Sequence, residues 1–288
     1  MKYLFVLLAL LIACNLTDKE DGQDLNSAAQ SSVPHNDTDY LKKYSYLVYG
    51  VLKFRDTSGK AHGAFKEGSG FFIKDKGKLY FITANHVLAM PDFPLKGTIT
   101  SDSDSIMIVC EDDGISKSSP CLFELNVKNF REKTKSVKFI YSPDVTAYEV
   151  LNKDNYPVNI IESYSAYYLP KKMGEISVWG FPADKNKLEK GNFIVNPKSQ
   201  ITTKKYSLKY DYKFPEKGKM KIDSFNYVIN PTDYKVVENL RGYSGSPAFV
   251  KDLSTNKWVF LGVMAGIQPE LNLMFFVKPT YISFNKKY

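Results

Sequence analysis

The sequence predicts an all-β protein, and three observations carry that prediction. Aromatic residues abound, with 20 Tyr and 19 Phe among 288 residues. Together with many Val, Ile and Thr they suit the pleated, half-buried surface of a strand. Apolar or alternating runs are short, and clusters such as Asp56-Thr57-Ser58-Gly59 and Lys74-Asp75-Lys76-Gly77 separate them. That is the pattern of strands joined by turns. Only one short segment reads as helix.

In chain order the runs fall at residues 44–54, 69–73, 79–83, 105–109, 137–141, 145–151, 176–180, 193–195, 220–229, 248–250, 259–265 and 273–277. The helical turn is 86–90, which Pro91 stops because proline cannot continue a helix. The polar stretch 58–63, which holds His62, reads as a hairpin loop. No repeat of solenoid period interrupts the series.

Composition narrows the function classes. Hydrophobic residues make up 43% and charged residues 24%, the balance of an ordinary globular chain. The net charge of +8 is almost entirely lysine, since the arginines are Arg55, Arg131 and Arg241. Nucleic-acid binders favour clustered arginine for its bidentate grip on phosphate. Here the lysines are scattered among acids, as in Lys185-Asn186-Lys187-Leu188-Glu189-Lys190. They read as solvated surface, and no nucleic-acid partner is expected.

Residues 1–14 read MKYLFVLLALLIAC. A lysine precedes an apolar run too short to span a bilayer, and the run ends Leu11-Ile12-Ala13-Cys14. This resembles the bacterial lipobox, which implies a signal over 1–13, cleavage before Cys14 and lipid chains on that cysteine. The expected location is the bacterial cell envelope, exported and membrane-anchored through lipid rather than a span. Residues 15–39 lack aromatics and are rich in Asp, Asn, Ser and Gln, so they bury too little apolar area to offset the entropy of ordering. The stretch 14–40 is thus the lipidated cysteine and a flexible tether, reaching on the order of 25–30 Å on average. Cys110 and Cys121 either pair across a short loop in an oxidising compartment or remain two thiols. Their spacing fits no zinc pattern; neither metal nor cofactor is expected.

With only three histidines, elimination is possible. His35 lies in the tether and His62 in the hairpin loop, which leaves His86 at the end of the run Leu79-Tyr80-Phe81-Ile82-Thr83-Ala84-Asn85-His86. A lone histidine there is more often structural. Ser244 stands in Gly242-Tyr243-Ser244-Gly245-Ser246-Pro247. Glycines on both sides let the chain turn tightly, expose a hydroxyl and aim backbone N–H groups at one point. Such a segment also serves as a plain turn between strands.

Taken together, Gly68-Ser69-Gly70-Phe71-Phe72-Ile73, Thr83-Ala84-Asn85-His86-Val87, Asp144-Val145-Thr146-Ala147-Tyr148 and Gly242-Tyr243-Ser244-Gly245-Ser246-Pro247 resemble the trypsin-like serine peptidase family in order and spacing. Within it the look is closest to bacterial glutamyl endopeptidases and heat-shock-type homologues, which share the turn Trp179-Gly180-Phe181-Pro182. The resemblance covers about residues 44–280. It implies two six-stranded antiparallel β-barrels, over 41–155 and 156–288, with the active site between them. It further implies a serine endopeptidase acting on polypeptide, with His86, Asp144 and Ser244 as its triad and Gly242 and Ser244 N–H groups as its oxyanion hole. A trypsin-fold binding module without turnover is the alternative.

Two departures from the family matter. Tyr243 stands where digestive trypsins carry an aspartate that captures a new N-terminal amine, so activation by that route is closed. No histidine follows His86, so the acid-binding histidine of glutamyl-specific relatives is missing. Glu238 lies near the place of the trypsin pocket acid, implying a basic residue at the cleaved position, or else is a loop charge beside Arg241. Ala265 and Gly266, in Gly262-Val263-Met264-Ala265-Gly266, match the strand along which substrate pairs by β-addition.

Overall fold

A computed structural model describes residues 38–55, 60–88, 100–103, 106–109, 143–150, 159–162, 168–182, 187–189, 192–194, 198–216, 218–236 and 240–284. The signal and most of the tether, Cys14, Cys110, Cys121, Glu238 and the run 137–141 lie outside the described residues.

Within them the fold is all-β. The first half supplies β1 (Tyr46–Arg55), β2 (Ala61–Asp75), β3 (Lys78–Thr83), β4 (Thr100–Ser103), β5 (Ile106–Val109), β6 (Thr146–Glu149) and β7 (Ile160–Ile161). They form one sheet in the order β4-β1-β2-β3-β6, with β5 also on β1 and β7 on β2. Every pair is antiparallel except the two-residue β7 on β2. The second half supplies β8 (Met173–Gly180), β9 (Lys187–Glu189), β10 (Asn192–Ile194), β11 (Ser199–Thr203), β12 (Tyr206–Lys209), β13 (Lys213–Glu216) and β14 (Lys219–Ile222). After these come β15 (Asn226–Pro231), β16 (Pro247–Asp252), β17 (Lys257–Gln268) and β18 (Leu273–Val277). Its main sheet runs β11-β8-β16-β17-β18-β15-β12, all antiparallel, while β9–β10 and β13–β14 are separate hairpins.

Each large sheet thus has seven described strands where six are expected. In the first, β4 and β5 lie end to end along β1, and β7 is a short addition. In the second sheet the Tyr206 hydroxyl of β12 donates to the carbonyl of Gly174 in β8 at 2.7 Å, which links one end of the path to the strand next to its other end.

Side-chain alternation explains the core. In β2, Phe71 and Ile73 face one way and Phe72 the other, as the two-residue period of a strand requires. Phe71 meets Phe260 of β17 with ring centroids 5.3 Å apart. Phe72 packs on Tyr46 at 4.9 Å and on Phe81 at 5.0 Å. Both faces of β2 are therefore buried at Phe71–Ile73, which is why that stretch is continuously apolar. One cluster joins Phe71, Ile73 and Ile82 of the first sheet to Phe249, Phe260, Val263 and Phe275 of the second. The halves share a core.

Three expectations change. Residues 61–63 belong to β2, with His62 opposite Phe54, so the hairpin loop ends before them. The run 220–229 is two strands, because Asp223 Oδ1 accepts the N–H groups of Phe225 and Asn226 at 2.9 and 3.1 Å and turns the chain. The tether ends earlier than residue 40: Thr38 opens a helical turn over Asp39–Tyr44 and its Oγ1 accepts from Gln200 Nε2 at 2.8 Å.

Candidate functional site

Register brings the first two residues together. β3 and β6 are antiparallel with Thr83 opposite Thr146. The chain leaving β3 and the chain entering β6 therefore still lie side by side just beyond that pair, where His86 and Asp144 stand. α1 (Asn85–Leu88) is the short helical turn that carries His86; it begins one residue earlier than expected.

Asp144 is 0% exposed, and the His86 side chain is 40% exposed. Asp144 Oδ1 accepts the main-chain N–H of His86 at 3.0 Å, and Oδ2 lies 2.5 Å from His86 Nδ1. A carboxylate oxygen accepts, so in this contact Nδ1 is the donor. A buried carboxylate thus fixes both the backbone and the ring of an accessible imidazole. Asn85 braces the same corner. Its Nδ2 donates to the carbonyl of Pro143 at 3.2 Å, and its Oδ1 accepts from Thr146 Oγ1. Sequence reasoning misses Asn85 and Thr146 as supports; the available signal is a polar residue closing an apolar run beside the histidine.

Ser244 arrives from the second half, in the loop before β16, and its backbone is tied to the first half. The N–H of Ser69 donates to the carbonyl of Ser244 at 2.8 Å. A Cβ added at Gly68 meets both Val87 Cγ atoms at 2.6 Å and the Ser244 carbonyl at 3.1 Å, so the residue after His86 and the carbonyl of Ser244 flank one glycine. Gly245 has φ +89 and a Cβ there would strike the Ser69 carbonyl and Thr83 Oγ1. Only glycine fits. Gly242 also has positive φ, +94. The N–H of Gly245 donates to Met264 O at 2.8 Å and that of Ser246 to Tyr243 O at 2.9 Å. Among the described residues the N–H groups of Gly242 and Ser244 donate to no protein acceptor, and the hydroxyl of partly exposed Ser244 makes no hydrogen bond. The structure therefore joins His86 to Asp144 by hydrogen bonds and ties the Ser244 carbonyl to Ser69 of the first half.

Tyr243 is buried, 3% exposed, and its hydroxyl hydrogen-bonds to Ser199 Oγ of β11. Ala265 is also buried and belongs to the shared core, so it faces a cleft only through its backbone. Gly266 is half-buried. On its β18 side this part of β17 is paired up to Gln268, whereas pairing with β16 stops at Val263. Beyond Met264, whose N–H and carbonyl bind Ser246 and Gly245, the other edge of β17 carries no strand among the described residues.

No protein-family model matches the chain, and no curated protein sequence matches it. Among solved structures it is similar to a protein designated GrC, at 13% identity, a TM-score of 0.45 and coverage of 82% of this chain and 89% of the other. It is likewise similar to scabies mite inactivated protease paralogue S-D1, at 13% identity and a TM-score of 0.46, over 84% and 89% of the two chains.

Proposed function

We propose that this protein is a serine endopeptidase, exported and lipid-anchored through Cys14, which hydrolyses peptide bonds through an acyl-enzyme on Ser244. The observation that carries the reading is the His86–Asp144 pair: a fully buried carboxylate 2.5 Å from Nδ1 of a histidine that solvent reaches. A histidine that served packing alone would have no need of a ring that solvent reaches.

In this mechanism Ser244 Oγ attacks the substrate carbonyl carbon as its proton passes to His86 Nε2. Asp144 stabilises the resulting imidazolium without taking the proton. The N–H groups of Gly242 and Ser244, which have no protein acceptor among the described residues, receive the oxyanion. The imidazolium then protonates the leaving amine, and water, activated by the same nitrogen, releases the acid. The Tyr243–Ser199 contact holds the loop without a captured N-terminal amine, so the enzyme is active as folded. Substrate backbone pairs along the uncovered edge of β17 at Gly266.

Reaction of the purified chain with a fluorophosphonate probe tests the proposal. Labelling of the wild type, lost in Ser244→Ala and in His86→Ala, is the expected result. A wild type that stays unlabelled overturns it and leaves the binding-module reading.

A further inference from the structure

We infer that Ser69 is a positioning residue that aims the oxyanion donors, and this inference rests on the peptidase reading. Ser69 lies in β2, remote in sequence from the nucleophile loop, and is 0% exposed. Its N–H, carbonyl and hydroxyl all have partners. The N–H donates to Ser244 O at 2.8 Å, and the carbonyl accepts from Thr83 Oγ1 at 2.7 Å. The hydroxyl donates to Gly242 O at 2.7 Å and accepts from the N–H of Phe181 at 3.2 Å.

The bond to Gly242 O has a particular consequence. The oxyanion donors belong to the peptides 241–242 and 243–244. The peptide between them, 242–243, carries the carbonyl that Ser69 holds. Gly242 has no side chain to restrain its dihedral angles and already sits at φ +94, where glycine moves freely between basins. Rotation of the middle peptide turns the two flanking N–H groups away from a common point. Ser69 opposes it at two places, the carbonyls of Gly242 and Ser244, which bracket Tyr243. Because Thr83 and Phe181 fix Ser69 in turn, the strand leading to His86 and the turn after β8 meet the oxyanion loop at one hydroxyl-bearing residue. The glycine-aromatic-proline turn thereby acquires a role, since its Phe181 N–H orients the Ser69 hydroxyl so that the hydroxyl hydrogen points at Gly242.

Oxyanion stabilisation acts on the transition state, so its loss lowers the chemical rate and spares ground-state binding. The test is the inactivation of the full chain by a fluorophosphonate, resolved into a maximal rate and a half-saturating concentration, for wild type, Ser69→Ala and Ser69→Cys. Since deleting an oxyanion donor outright costs about 10²–10³, misaiming the donors should lower the maximal rate of Ser69→Ala by about 10–10², with half-saturation unchanged. Ser69→Cys keeps the shape with a weaker donor and should fall between the two. Asp252→Asn, which replaces a buried carboxylate at the end of β16, is the control for lost stability alone, and its maximal rate should stay at the wild-type value. Unchanged rates in both Ser69 variants overturn the role of Ser69 while the peptidase reading stands. An equal fall in Asp252→Asn reduces the role to general stability and also overturns it. An unlabelled wild type overturns both readings.

Discussion

At the scale of single residues the site's weight falls on Asp144. Both its oxygens bind His86, one the ring and one the main chain, and solvent does not reach the side chain. Asp144→Asn keeps shape and volume but offers an N–H₂ group where Nδ1–H now donates, which selects the wrong imidazole tautomer. In a serine peptidase whose triad aspartate is replaced this way, turnover falls by about 10⁴. A fall of that order in the rate of fluorophosphonate labelling is expected, with the melting temperature largely retained. His86→Ala should act differently. It strips the ring partner from a buried carboxylate, which keeps only the main-chain N–H of residue 86, and a buried group left short of a partner costs about 1–3 kcal/mol. Ser244→Ala leaves no buried charge and should melt like the wild type. Thermal melts of the three variants, beside their labelling, separate chemistry from support; equal melting of His86→Ala and Ser244→Ala would contradict a ring bond that supports the buried Asp144.

At the scale of elements, turns decide more than strands. Gly245→Ala forces a side chain into the left-handed region at a cost of about 1–2 kcal/mol and drives it into the Ser69 carbonyl and Thr83 Oγ1. Since those atoms belong to β2 and β3, relief requires the loop to lift off the first sheet. Gly245→Ala should therefore lose labelling even where circular dichroism shows the fold intact. The turn between β16 and β17 offers a pH test. The Tyr168 hydroxyl, and then the N–H of Ser254, hold Asp252 below the usual carboxylate range. A carboxyl whose folded pKa is depressed stabilises the fold above its unfolded pKa and loses that effect as pH falls through the folded value. Asp252→Asn should thus melt below wild type at neutral pH, the difference closing as the solution is acidified past the ordinary carboxylate range. A difference constant with pH contradicts the assignment. These turns also show what a sequence can tell. Gly242 and Gly245 flank Ser244 visibly, and β2, β3, β16, β17 and β18 announce themselves as apolar runs. β11, β12 and β13 do not, because Ser199–Thr203, Tyr206–Lys209 and Lys213–Glu216 are largely polar, the first two at the margins of the sheet and the third in a separate hairpin. Asp223 breaks a run that its neighbours make look continuous. Ser69 stands inside a legible motif, yet its grip on Gly242 depends on a contact between segments 173 residues apart, which no local pattern reveals.

At the scale of the molecule, the site depends on two sheets keeping a fixed relation, because His86 and Asp144 come from one and Ser244 from the other. Two separate cores would allow the halves to drift and the loop to lift from β2. Instead Phe71, Ile73 and Ile82 share a cluster with Phe249, Phe260, Val263 and Phe275, and Lys198 Nζ and Gln200 Nε2 bind the segment before β1 from the far half. Unfolding either half exposes apolar area belonging to the other, so the described domain should unfold in one transition rather than two. Phe275 measures the coupling. It is 0% exposed, packs edge-on to Tyr212 at 5.5 Å, and stands in β18. Phe275→Ala deletes a buried ring, a change that costs about 3–5 kcal/mol and, in a domain of this size, lowers the melting temperature on the order of 10 °C. If the halves are coupled, the loss of fluorophosphonate labelling on heating shifts by the same amount as the unfolding seen by calorimetry. If they are independent, calorimetry resolves two transitions and only the later half of the chain moves.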